Sequence, residues 1–341
     1  VLAQPGGPEQ MSIGEAPKPE AADGELLVRV HATAINRADT LQRKGRYPPP
    51  AGASTIMGLE CAGEVVAIGA NCTGQWAVGD RVMALLAGGG YSEYATCPEG
   101  CAMPLPADMD YATAAAIPET WLTAFQLLFL VGHVEKDDLV LIHAGASGVG
   151  TALIQLCLKV GAKPIVTAGS QAKLDYCASL GAVFGANYKE GPFAPKIKEF
   201  TNTEYKQDGV DLILDCVGAS HYDNNVEAVR LDGRWVLYGL MGGAQAETMS
   251  LAHILRKRLK VSGTTLRTRS KAYKAALVKR FCEEALPHFG AKGHTVIVHK
   301  VFPFEEIVAA HSEMEANANM GKIVVQVVPQ EACAQSCWRL L

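Results

Sequence analysis

The stretch that most constrains this chain runs from Leu139 to Gly161. An apolar strand, Leu139-Val140-Leu141-Ile142-His143, enters the turn Gly145-Ala146-Ser147-Gly148-Val149-Gly150, and Thr151 to Val160 follows as a helix stopped by Gly161. A strand handed to a helix through such a turn opens a parallel strand-helix-strand unit. The three glycines have separate expected tasks: Gly145 permits a tight turn, Gly148 lets the backbone approach a pyrophosphate, and Gly150 lets the helix lie close on the sheet. The helix N-terminus adds unpaired N–H donors and partial positive charge. The spacing Gly-x-x-Gly-x-Gly departs from the usual Gly-x-Gly-x-x-Gly, and an ordinary strand-to-helix turn is the competing reading.

The alternation continues downstream. Ile165-Val166-Thr167-Ala168 reads as the next strand, Ser170 caps a helix running to Leu180, and Gly181 follows its end. Asp211 to Val217 and Arg234 to Gly239 read as two further strands. An NAD-preferring site carries Asp or Glu about twenty residues past the turn to accept from the ribose 2′-hydroxyl. Here that place holds Ala168-Gly169-Ser170, with Lys173 one turn on. Without the carboxylate there is no repulsion against a 2′-phosphate, and a hydroxyl and an ammonium supply donors, so NADPH is expected over NADH. The alternative is that Ser170 is only an N-cap and Lys173 only solvated surface.

Elsewhere the chain reads differently. The first third is short strands with frequent turns, among them Glu25 to Val30, read as alternating, and Gly63 to Ile68. Tyr47-Pro48-Pro49-Pro50 is an extended surface loop, because three prolines offer no backbone donors. The helix-strand alternation begins near Trp121 and fades after Gly263, and Lys322 to Val327 forms one last strand. A length of 341 residues exceeds what one core usually organises, so two domains are expected. With 19% charged residues and a formal charge of −4, there is no global electrostatic reason to bind nucleic acid or an anionic membrane. No apolar run is long enough to span a bilayer. The ten cysteines are scattered, which suits reduced thiols in a cytoplasmic setting. The pairs Cys97-x3-Cys101 and Cys333-x3-Cys337 lack zinc-ribbon spacing, and no metal is expected at either. The chain begins at Val1 rather than Met, which leaves a preceding segment open.

Several motifs in order carry a resemblance. Asn36-Arg37-Ala38-Asp39, Gly45-x-Tyr47-Pro48-Pro49-Pro50, Gly58-Leu59-Glu60, Pro118-Glu119-x-Trp121-x-Thr123-Ala124, the run His143 to Gly150, and Asp232-Gly233-Arg234-Trp235-Val236 resemble the quinone oxidoreductases of the medium-chain dehydrogenase/reductase superfamily. The turn is one residue shorter than in most of them, as in one branch of that family. The resemblance spans the first residues to about Val328. It implies an α/β architecture in which a doubly wound Rossmann sheet is inserted into a GroES-like, mainly β catalytic domain. The implied division is 1–120 and 265–328 for the catalytic domain, 121–264 for the Rossmann domain, and 329–341 as an extension. It also implies the absence of catalytic zinc, since zinc-dependent relatives carry a ligand Cys where this chain has Asn36 and a ligand His where it has Leu59.

The same resemblance implies the site residues. Asn36 and Tyr47 border the nicotinamide and substrate pocket and are the catalytic candidates, and Thr123 approaches the nicotinamide end. Ser147, Gly148 and Val149 hold the pyrophosphate. Gly169, Ser170, Lys173 and Tyr188 surround the adenosine 2′-phosphate. Gly218, Ser220, Gly239, Leu240, Met241, Leu266, Arg267 and Asn319 complete the groove. For Tyr47 a loop aromatic packed on prolines is the plain alternative, and for Asn36 a turn residue satisfying local backbone.

The expected reaction is hydride transfer from NADPH to a quinone, with Tyr47 orienting the acceptor or donating to its oxygen and water as final proton source. Reduction of α,β-unsaturated carbonyl compounds uses the same cofactor pose and is the runner-up. A crystallin-like or RNA-binding role rests on Arg256-Lys257-Arg258-x-Lys260 with Arg267, Arg269 and Lys271, for which a solvated basic face is the better reading. A homodimer paired through an edge strand of the Rossmann sheet is implied.

Overall fold

Strand β1 (Glu25–Ile35) organises the first part of the chain. Its pattern is not simple alternation. Leu26, Leu27 and Val28 are buried in succession, because the register against the next strand shifts between Leu27 and Val28 and again between Val30 and Ala32. The strand also runs on to Ile35, five residues past the sequence expectation. The computed structural model describes residues 4–74, 76–290 and 293–328. Four shorter strands follow: β2 (Glu60–Ile68), β3 (Arg81–Leu85), β4 (Tyr94–Pro98) and β5 (Ala102–Pro104). β2 starts three residues earlier than expected and takes the buried Glu60 with it. Tyr47 to Pro50 lies in no strand or helix.

The inserted unit is residues 123–265. It holds β6 (Leu139–Ile142), β7 (Lys163–Ala168), β8 (Phe184–Asn187), β9 (Val210–Asp215), β10 (Val229–Leu237) and β11 (Lys260–Gly263). Among the described residues these form one parallel sheet in the order β11-β10-β9-β6-β7-β8. The order reverses at β6, which lies between β7 and β9, so the glycine turn stands at the carboxyl end of the strand where doubly wound sheets hold ligands. Leu139, Leu141, Ile165, Ile213 and Trp235 contribute to a core on the sheet. The observed elements differ from the expected ones at their ends. The helix after the turn is Gly148–Val160, three residues longer than expected, because Ser147 caps it. β6 stops at Ile142 and leaves His143 beyond it, β9 stops at Asp215 and β10 at Leu237, since turn residues follow each.

The chain then returns to its first unit, residues 1–122 and 266–341, through β12 (Val298–Pro303) and β13 (Lys322–Gln326). The sheet order is β12-β13-β1-β2-β3-β5, with β4 also beside β1. β13 pairs antiparallel with the far half of β1, Ile323 opposite Ile35, while β4 takes the near half. Ile35, Phe302, Ile307, Met314 and Val325 pack as one cluster under this seam. The expected 329–341 extension, including Cys333 and Cys337, lies outside the described residues. No helix among the described residues is long and apolar enough to cross a membrane.

Candidate functional site

In the inserted unit, the Ser147 hydroxyl accepts from the Gly150 N–H at 3.0 Å and starts the helix Gly148–Val160. The glycines around it divide their work differently from the sequence expectation. The left-handed residue of the turn is Ala144, at φ 52°, not Gly145. A Cβ on Gly145 would stand 2.7 Å from Val166 Cβ on β7, so Gly145 is the residue that lets turn and neighbouring strand approach. A Cβ on Gly150 would stand 2.4 Å from the Gly145 carbonyl oxygen, so Gly150 closes the turn. The first N–H groups of the helix remain available to an anion.

The carboxyl end of β7 forms the second part. Ser170 Oγ accepts from the Lys173 backbone N–H at 3.4 Å and caps the helix Gln171–Ser179. Gly169 is walled by Tyr188: a Cβ there would meet the Tyr188 hydroxyl at 2.7 Å and Lys189 Cε at 3.2 Å. Tyr188 itself is exposed and stands beside His221, ring centroids 5.5 Å apart. Gly169, Ser170 and Tyr188 are thus brought together at the end of β7, with the backbone of Lys173 on the cap.

The carboxyl ends of β9 and β10 form the third. Buried Asp215 accepts from the backbone N–H groups of Val217 and Gly218 through Oδ1, at 2.7 and 3.0 Å, and from Asn225 and Trp235 through Oδ2. This bends the chain at Gly218, φ +80°. Ser220 N–H donates to Gly242 O and Met241 N–H to Cys216 O, so the two loops are joined, with Gly239 pressed against Cys216 O. Leu240 and Met241 are left exposed, and Thr123 is half-buried. His143, just below, is fully enclosed between Thr167 Oγ1 and Asn225 Oδ1. Burial holds its pKa down at about 4, against the opposing pull of Asp215.

In the catalytic unit, Lys322 drives its ammonium into the fold and donates to Ile35 O at 3.0 Å and to Asn36 Oδ1 and Glu60 Oε1, both at 2.7 Å. Asn36 Nδ2 donates to the same Glu60 oxygen at 2.7 Å. Glu60 Oε2 accepts from the Glu119 backbone N–H at 2.8 Å. The Asn36 N–H donates to Asp39 Oδ2, and the Gly58 N–H to Asp39 Oδ1. Burial raises Asp39 to about 6, against the bonds from Asn36 and Tyr91 that favour its charge. Tyr91 in turn meets His311, and His311 meets Arg43, at 3.1 and 3.0 Å. Asn36 is therefore a spoke of a buried polar network, its amide used on both sides.

Tyr47 and Arg267 are neighbours. Arg267 Nη1 donates to Tyr47 O at 3.4 Å, and its guanidinium carbon stands 5.4 Å from the Tyr47 ring centroid. Arg267 Nε donates to Ala87 O at 2.8 Å. Burial pushes the Tyr47 hydroxyl up from its ordinary value, Glu119 adds to this, and Arg267 opposes it. Leu266 is buried, and Asn319 Nδ2 donates to Gly321 O, one residue from Lys322. Sequence reasoning assigned no task to Glu60, Glu119, Asp39 or Lys322. Their signal was a charge set in apolar surroundings, as in Leu59-Glu60-Cys61 and Lys322-Ile323-Val324. The basic run is largely engaged: Arg258 pairs with Asp232, Lys257 donates to backbone carbonyls, and Lys271 meets Glu25. Cys97 and Cys101 are buried, which pushes both thiols up and away from the thiolate a metal needs.

Residues 22–107 match the family "Alcohol dehydrogenase GroES-like domain", and residues 148–281 match "Zinc-binding dehydrogenase". Prostaglandin reductase-3 of Mus musculus is 29% identical over 330 residues, 92% of this chain and 84% of that protein. A crystal structure of an NAD-dependent alcohol dehydrogenase superposes at TM-score 0.81 and 30% identity, covering 96% of this chain and 98% of the other. The Escherichia coli quinone oxidoreductase complexed with NADPH superposes at TM-score 0.85 and 27% identity, with the same coverage of 96% and 98%. The interrupted β unit, the inserted sheet whose order reverses at the glycine turn, and likeness along almost the whole chain have one meaning: the chain belongs to the medium-chain dehydrogenase/reductase family of oxidoreductases.

Proposed function

We propose that this chain is an NADPH-dependent, zinc-independent quinone reductase, of the branch with the shortened turn that includes the animal quinone oxidoreductase-like proteins induced by a tumour suppressor. The observation that carries the reading is the Lys322 ammonium, bonded to Asn36 and Glu60. A catalytic zinc needs lone pairs there, and this donor set already surrounds a cation of its own. The acceptor must then take up hydride without a Lewis acid. A quinone does so, because its own carbonyls delocalise the arriving charge. The solved Escherichia coli quinone oxidoreductase supports this acceptor class.

NADPH is the cofactor, and when bound it supplies hydride from its nicotinamide. Gly148 and Val149 offer N–H donors to its pyrophosphate beside the cap Ser147, whose own N–H is spent on Ala144 O, and Gly169, Ser170, Lys173 and Tyr188 surround its 2′-phosphate. These residues separate this chain from the NAD-dependent neighbour, since no carboxylate follows β7 to hold a ribose diol. Exposed Leu240 and Met241 provide apolar cover for the cofactor. Tyr47, kept as a hydroxyl by its raised pKa, orients the acceptor. Asn36, tied on both sides, positions the floor of the pocket rather than reacting.

NADPH oxidation compared across ortho-quinones, para-quinones and simple enones tests the reading, with Tyr47→Phe alongside. Quinone turnover several-fold lower in Tyr47→Phe at unchanged NADPH affinity is expected; equal turnover sinks the role of Tyr47. Preference for enones over both quinone classes would favour the second reading, reduction of α,β-unsaturated carbonyls, which the likeness to a prostaglandin reductase supports. The protein works as a homodimer through the β11 edge. The free thiols of its described cysteines suit the cytosol, which cell fractionation tests.

A further inference from the structure

The catalytic unit holds a cavity of about 1560 Å³, and every residue that lines it belongs to that unit. Asn36 and Tyr47 take no part in its lining. The buried part of the wall is of two kinds. Met57, Leu86, Ile307 and the Tyr91 ring are apolar, whereas Arg267 and Lys274 are cationic and only 4% and 8% exposed. The acids of the lining lie elsewhere: Glu15, Glu93 and Glu305 are exposed, and half-buried Glu25 already meets Lys271.

Arg267 and Lys274 are joined, and neither has a counter-ion in contact. Among the described residues their hydrogen bonds go to backbone carbonyls. Arg267 Nε donates to Ala87 O at 2.8 Å and Nη1 to Tyr47 O at 3.4 Å, and Lys274 Nζ donates to Arg267 O at 2.6 Å. Arg267 Nη2 is buried with no acceptor. The two carboxyls that favour the Arg267 charge from a distance are otherwise engaged. Asp39 accepts from the Asn36 and Gly58 N–H groups. Burial and the charge of Glu60 raise Glu119 to about 8, so it is mostly protonated at neutral pH. Taking a cation out of water is costly unless an opposite charge and hydrogen bonds meet it. Two such cations on one cavity wall, one with an unmet donor, ask for an anion from outside the chain.

We propose that this cavity binds an amphiphilic carboxylate, its head taken by Arg267 and Lys274 and its stem laid against Met57, Leu86, Tyr91 and Ile307. The site goes beyond the reductase reading and does not depend on it. Two nitrogens with hydrogens to spare, Arg267 Nη2 and Lys274 Nζ, match the two oxygens of a carboxylate. The exposed acids of the lining repel a dianion such as phosphate more than they repel a single charge. The apolar wall gives a hydrocarbon stem a place to leave water, which a bare anion does not use.

Calorimetric titration of the full chain with octanoate tests the site, beside octanol, acetate and inorganic phosphate. Octanoate should bind the wild type at least about tenfold more tightly than octanol, which lacks the charge, and than acetate, which lacks the stem. Lys274→Gln should weaken octanoate about tenfold or more and leave octanol unchanged, while Lys274→Arg keeps most of the affinity. If Lys274→Gln fails to fold, Lys274→Arg and the wild-type ranking of the four probes decide. A wild type that takes up no octanoate at millimolar concentration, or takes up octanol or phosphate as tightly, overturns the proposal. So does a Lys274→Gln variant with wild-type affinity for octanoate. Displacement of octanoate by NADPH would return Arg267 to the cofactor groove and overturn it as well.

Discussion

Ser170 shows how one residue serves two masters. Its hydroxyl caps the helix Gln171–Ser179, and it stands where NAD-preferring relatives of this architecture carry an acid. Asp caps a helix about as well as Ser, so Ser170→Asp changes the charge at the end of β7 at little cost to the fold. NADPH affinity should fall at least tenfold relative to NADH, read as the ratio of the two dissociation constants; an unchanged ratio would remove Ser170 from the 2′-phosphate site. This residue was legible in the sequence because cap and helix are adjacent. What Gly145 and Gly150 touch is decided by β7 and by turn carbonyls, so the motif alone does not say which neighbour each admits. Lys322 and Glu60 were not legible as partners. They are 262 positions apart, and no local period announces such a pair.

At the scale of elements, β11 is the edge of the parallel sheet and, among the described residues, pairs with β10 alone. The helix before it, Leu251–Lys257, turns Leu251 and Leu255 outward at 74% and 79% exposure, one helical turn apart. An open edge flanked by exposed leucines is a surface that proteins ordinarily cover. Coverage by the same edge of a second copy satisfies a two-fold. Leu255→Glu should then shift the mass seen by light scattering from dimer to monomer while NADPH binding persists. A wild type that is already monomeric at tens of micromolar would end the idea. The existence and type of β1, β2, β6, β7, β9, β10 and β13 were legible from their apolar runs, whereas their ends were set by pairing partners and β3, β4, β5, β8, β11 and β12, short or weakly patterned, were not. β1 continues to Ile35 because β13 is there to pair with it, and nothing within residues 25–35 says so.

For the whole molecule, each unit encloses a neutral histidine. Burial lowers His143 from 6.5 to about 4, and lowers His311 from 6.5 to about 3. Both folded values lie below the unfolded one, so the unfolded chain takes up protons first as pH falls. Stability that is complete above 6.5 is lost progressively toward 4 and then 3. The melting temperature should decline from pH 7 to pH 4.5, less steeply in His311→Gln than in the wild type; parallel slopes would exonerate His311. The discontinuous sheet has a consequence in time rather than in space. During synthesis Glu60 leaves the ribosome long before Lys322, and at about 5–20 residues per second the wait is on the order of 10–50 s. For that interval the nascent first segment has an acid meant for its interior and no counter-ion, and the seam of β1 that β13 will close is bare. A nonsense codon shortly before Lys322 would release a chain in which β1 to β5 still share a core while Glu60 stays without its ammonium and β1 without β13.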